Sequence, residues 1–125
     1  KSIDKTEDIK KYSEYIDIKN IIDISNKEFK NKYGDMAFSW RGKNIIRRNA
    51  IISLGNMKEK SSIDMLKNTL KDDSSMIREY SAWAILNIDF SKGIDLIEDH
   101  IKKEKDESIK KEMENIINYF KNEGE

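Results

Sequence analysis

The chain repeats itself. Ile46-Arg47 returns as Ile77-Arg78 after 31 positions, and Ala50 and Leu54 return as Ser81 and Ile85. Ile63-Asp64-Met65-Leu66 returns at the same spacing as Ile94-Asp95-Leu96-Ile97, with Leu70 over Ile101. A weaker third copy sets Ile109-Lys110 under Ile77-Arg78 at 32, followed by Met113, Ile116 and Ile117. Two amphipathic patterns alternating at one period define a two-helix unit. Each unit has an apolar face too wide to bury alone, and stacking on neighbours buries it, which is the logic of an α-solenoid. The expected fold is all-α, a superhelix of short helical repeats with a period of about 31 residues. Its helices fall at 44–55, 61–71, 75–88, 92–104 and 107–122.

Composition agrees with short connections between helices. The 125 residues include no proline and only five glycines, so helix breakers are almost absent. Gly55-Asn56 is expected to end the first repeat helix, with glycine in the left-handed position just past it. Ser61 or Ser62, Ser74 and Ser91 are the expected N-caps. Upstream, residues 1–16 read as a linker or frayed segment and residues 17–125 as the repeat domain. Asp17 suits the cap of a short helix carrying Ile18, Ile21 and Ile22. Ser25-Asn26-Lys27-Glu28 is a capping box for a helix bearing Phe29 and Tyr33 and ending at Gly34. Asp35–Gly42 then reads as a bent aromatic connection. A chain that begins with Lys1 is expected to be a piece of a longer protein, with a partner domain on its N-terminal side.

Several chemistries are excluded within this stretch. There is no cysteine and a single histidine, so disulfides, thiol catalysis, a zinc site and a histidine-based triad are not expected. His100 reads as a solvated surface residue, and Glu98, Asp99, Glu104 and Asp106 as charges on an exposed helix face. No glycine-rich phosphate loop occurs. No apolar run approaches the ~20 residues of a membrane helix, and nothing resembles a signal peptide. No catalytic residue or metal ligand is assigned, and the expected setting is cytoplasmic, without a membrane partner.

Charge is zero overall but unevenly spread. Residues 1–60 carry 14 Lys/Arg against 9 Asp/Glu, and residues 61–125 carry 10 against 15. No acid lies between Met36 and Lys58, where Arg41, Lys43, Arg47 and Arg48 cluster. Arg47 and Arg48 stand 100° apart on a helix, so they serve different ends. Arg47 aligns with Arg78 and is assigned a structural role. Arg41, Lys43 and Arg48 are then expected to face phosphates near a helix N-terminus. Trp40 either packs under the first repeat or stacks on a base; Trp83 is expected in the core. Asp72 lies six residues before Arg78, the spacing at which HEAT-type repeats join their neighbours. Glu104 and Lys110 echo that pair. The first unit has Arg41 where the acid would be.

The stretches AFSWRGKNIIRRNAIISLGN at 37–56 and DDSSMIREYSAWAIL at 72–86 carry a family resemblance. Arg48-Asn49, Leu54-Gly55-Asn56, Arg78 and Ala82-Trp83-Ala84 resemble the C-terminal HEAT-like (PBS-lyase-type) region of epoxyqueuosine reductases, and Ser25–Phe29 resembles the approach to it. About half the chain is covered well. The resemblance implies a parent oxidoreductase that completes queuosine at the tRNA wobble position with cobalamin and two 4Fe-4S clusters. Those groups would sit in catalytic and ferredoxin-like domains preceding the repeats. This stretch would be a non-catalytic, monomeric domain that helps to hold tRNA, with Arg47, Asn49, Asp72, Arg78 and Trp83 as structural repeat residues. The alternative is a protein–protein scaffold or an interdomain brace with no nucleic-acid role.

Overall fold

The computed structural model describes residues 18–23 and 39–123. The expected linker, the Asp17 cap, the Ser25–Glu28 capping box, the Phe29–Tyr33 helix and residues 35–38 of the aromatic connection lie outside those residues. The chain divides into two compact units, 1–50 and 51–125. In the first, residues 18–22 are helical, and Ile22 and Ala50 are buried.

Helix α1 spans Ser39–Met57. It starts five residues before the expected position and ends two after it, so residues 39–42 are helical and not a bent connection. Gly55 does not mark its C-terminal end. It does not turn the chain; it is buried inside the helix. A Cβ on Gly55 would lie 2.5 Å from Cζ3 of Trp83 and 3.1 Å from Cα of Ala84. Glycine is needed there for close helix approach, which offsets its cost of ~1 kcal/mol in a helix interior. The left-handed position falls instead on Lys58, at φ 55°, whose N–H donates to the Leu54 carbonyl at 3.2 Å.

A 3-10 turn, Lys60–Ser62, leads into α2, Ile63–Thr69. Ser62 is the N-cap residue, but its side chain makes no capping bond and its buried Oγ has no hydrogen-bond partner among the described residues. Helix α3 spans Ser75–Ile88 as expected, and Ser74 Oγ accepts the Ile77 N–H at 3.4 Å. Helix α4 spans Phe90–Lys103. Its N-cap is Asp89, not Ser91: Asp89 Oδ1 accepts the Lys92 N–H at 3.3 Å. One residue therefore closes α3 and opens α4. Helix α5 spans Glu107–Glu123, and Asp106 Oδ1 takes the N–H groups of Ser108 and Ile109 at its start.

Helix α3 is the hub of the second unit, packing against α2, α4 and α5. Ile51, Leu54, Leu66, Ile77, Ile85, Leu86, Ile97 and Met113 are buried to 1% exposure or less. Repeat register explains the set, since Leu66 matches Ile97 and Leu54 matches Ile85. Ser81, at the register of Ala50 and Met113, is also buried, and its hydroxyl is satisfied. Ser81 Oγ donates to the Ile77 carbonyl at 2.7 Å and pairs with Thr69 Oγ1. No strand occurs among the described residues.

Candidate nucleic-acid interface

The early start of α1 decides how its cations are arranged. Trp40, Arg41, Lys43, Arg47 and Arg48 all fall on this one helix. At 100° per residue, positions 41 and 48 differ by only ~20° in direction and lie ~10 Å apart along the axis. Position 43 is turned ~140° from position 48. The helix thus divides the expected cluster: Arg41 and Arg48 share a line, and Lys43 does not. The side chains of Trp40 and Arg41 lie outside the described residues. Lys43 and Arg48 are half-buried.

Arg47 is 9% exposed. Its Nε donates to the Ile22 carbonyl at 2.9 Å and its Nη1 to Asn44 Oδ1 at 3.3 Å. This guanidinium binds the end of the 18–22 helical stretch within its own unit. Arg48 turns elsewhere: Nε and Nη2 donate to Asn49 Oδ1 at 3.2 and 3.0 Å. Ile45, three and four residues before this pair, is 41% exposed. The outward strip of α1 therefore holds Ile45, Arg48 and Asn49, with position 41 on the same line.

A second polar centre joins successive repeats. Arg78 Nε and Nη2 donate to Glu104 Oε1 and Oε2 at 3.0 and 2.9 Å, a two-point clamp between α3 and the end of α4. His100 Nε2 lies 2.8 Å from Glu104 Oε1, and the Asp106 N–H donates to Oε2 at 3.1 Å. Burial works against the charged carboxylate, but these hydrogen bonds and the Arg78 charge overcome it and hold Glu104 down at about 2. The bond to Glu104 likewise raises Arg78 above its ordinary value.

Two expectations are corrected here. Glu104 is not an exposed-face charge; its side chain is 3% exposed, and His100 beside it is half-buried. Glu104 also does not pair with Lys110, whose Nζ sits 3.8 Å from Glu107. Arg78 does reach Asp72, but through the main-chain carbonyl at 2.9 Å. The Asp72 carboxylate accepts the Ser74 N–H at 3.0 Å. A sequence signal for Glu104 existed: it stands two residues before the cap Asp106, as Asp72 stands two before the cap Ser74. Trp83 is half-buried over Gly55, and Asn87 Nδ2 donates to the Gly55 carbonyl at 3.0 Å.

No group of three or more His, Cys, Asp or Glu side chains among the described residues could hold a metal ion. An iron–sulfur cluster needs thiolates, and this chain has none, so its residues do not fit one. No helix among the described residues is long and apolar enough to cross a membrane.

Comparison with known proteins supplies the context. The family of HEAT repeats matches residues 42–116. Epoxyqueuosine reductase of Bacillus subtilis is 41% identical over 108 residues, covering 86% of this chain and 28% of that protein. An uncharacterized protein in the gldA 3' region of Geobacillus stearothermophilus is 40% identical over 105 residues, covering 83% of this chain and 49% of that one. Among solved structures, epoxyqueuosine reductase with a tRNA-Tyr epoxyqueuosine-modified tRNA stem loop matches at TM-score 0.72 and 41% identity, over 83% of this chain and 28% of its own. The chain thus spans between about a quarter and a half of these relatives.

Proposed function

Because the chain belongs to the HEAT-repeat family, and its relatives include an epoxyqueuosine reductase solved with a tRNA stem loop, we propose that it is the repeat region of an epoxyqueuosine reductase-like iron–sulfur protein and helps to dock tRNA. On this reading it works in the cytoplasm and does no chemistry of its own. Cobalamin and 4Fe-4S clusters would be bound by catalytic and ferredoxin-like parts of a longer chain. The observation that carries the reading is the 41% identity to a protein seen with a tRNA stem loop. The strip of α1 beginning at position 41 and including Arg48 is the docking edge. Phosphate contacts fix the orientation of the RNA without reading its sequence. Lys43 adds to the positive field from a different line of the helix, and Trp40 stands next to Arg41 at the helix start.

The test is binding of a tRNA-Tyr anticodon stem loop to this chain across a salt series. Counterion release makes affinity fall with salt in proportion to the phosphates neutralised. Arg41→Ala with Arg48→Ala is expected to flatten the slope of log affinity against log salt by about two, one per phosphate contact. Lys43→Ala is expected to change it less. If the double variant binds as the parent does, the docking edge is not on α1. If the parent binds no RNA at low salt but retains a protein partner, the scaffold reading replaces this one.

A further inference from the structure

We propose that Asn49 is a positioning residue that presets the Arg48 guanidinium for an RNA phosphate; the inference rests on the docking reading above. Neighbouring residues on a helix point 100° apart, and their side chains do not ordinarily face each other. Even so, two donors of Arg48, Nε at 3.2 Å and Nη2 at 3.0 Å, converge on the single oxygen Asn49 Oδ1. Such a contact requires the arginine arm to lie across the helix surface toward Asn49. Two donors on one acceptor restrict the direction of the arm and bring that oxygen toward the plane of the group.

A long arginine side chain carries much rotamer freedom, and a phosphate contact removes it at the moment of binding. Asn49 removes part of that freedom before RNA arrives. The pair lies outside the core. Asn49 is exposed, and Ile45, three and four residues earlier on the same face, is exposed too. Arg47, one position back, is buried on the Ile22 carbonyl. Of the two adjacent arginines, then, the one on the outward strip is the one that Asn49 contacts. An amide suits this role because it supplies the acceptor without a charge. A carboxylate would hold the arginine more tightly and cancel its attraction for phosphate.

The experiment is a double-mutant cycle on the 125-residue chain, read by stem-loop affinity and its salt dependence. Asn49→Ala is expected to weaken binding about threefold to tenfold, the scale of ordering one side chain, with the salt slope unchanged. Arg48→Ala is expected to weaken binding and lower the slope by about one. In the Arg48→Ala background, Asn49→Ala is expected to have no further effect. Asn49→Gln, which keeps a neutral amide acceptor, recovers part of the loss, whereas Asn49→Asp lowers the slope. If Arg48→Ala weakens binding and Asn49→Ala does not, the positioning role is overturned and the docking reading stands. Equal losses from Asn49→Ala with and without Arg48 overturn it as well, since Asn49 would then act through something other than this guanidinium. If Arg48→Ala leaves binding unchanged, the positioning role falls together with the assignment of Arg48 to the docking edge. Thermal melting of each variant separates these outcomes from unfolding.

Discussion

Glu104 is the residue on which one repeat hangs from the next. Its carboxylate is shared by Arg78, His100 and the Asp106 N–H, and it is held at about 2 against an ordinary 4.5. A carboxylate whose folded pKa lies below its unfolded one adds stability above the unfolded value. That contribution is lost as pH falls from about 4.5 toward about 2, and a shift of this size corresponds to about 3 kcal/mol. Urea midpoints of the parent should therefore fall over that window. Glu104→Gln is less stable at neutral pH, and its deficit should narrow as pH falls; a deficit constant from pH 6 to 3 would show that the charge is not what matters. Gly55 carries the second prediction at this scale. Gly→Ala inside a helix ordinarily stabilises by up to ~1 kcal/mol, but here the new Cβ meets Trp83 and Ala84. Gly55→Ala should destabilise by roughly 1–3 kcal/mol, the range for overpacking, and a raised melting temperature would contradict the packing described.

At the level of elements, the caps discriminate between local reading and observed geometry. Asp89→Ala should cost about 1 kcal/mol by removing the bond to the Lys92 N–H. Ser91→Ala, inside α4 and exposed, should stay within about 0.5 kcal/mol. Chemical denaturation of the two variants decides between them, and a loss from Ser91→Ala with none from Asp89→Ala would restore Ser91 as the cap. Helix α3 was legible to its last residue because apolar spacing and Ser74 agree. The start of α4 was not, because Asp89 sits between two apolar residues, Ile88 and Phe90, where a connection as short as one residue leaves no loop composition to read. The end of α1 was not legible either. Glycine after a helical run is a sound local stop signal, and what overrides it is a tryptophan 28 positions later.

For the whole molecule, the period of 31 was enough to specify an all-α repeat, since it states which apolar faces recur. The polar joints were harder to see, because Arg78 and Glu104 are 26 positions apart and neither stands out in composition. The basic cluster was visible as residues but not as a face. Whether Arg41, Lys43 and Arg48 look the same way depends on where α1 begins, and moving that start from 44 to 39 puts all of them on one regular helix. The salt-slope experiment belongs at this scale, because it counts phosphates contacted by the entire surface. A slope near zero for the parent chain would remove RNA as its partner.

The close approach of Gly55 to Trp83 also restricts the order in which this sequence can change. Trp83 must shrink before Gly55 can grow, because an alanine arriving first meets the indole at 2.5 Å. Trp83→Leu before Gly55→Ala removes the nearer of the two contacts and leaves only the Ala84 approach at 3.1 Å to be absorbed, while the reverse order meets both at once.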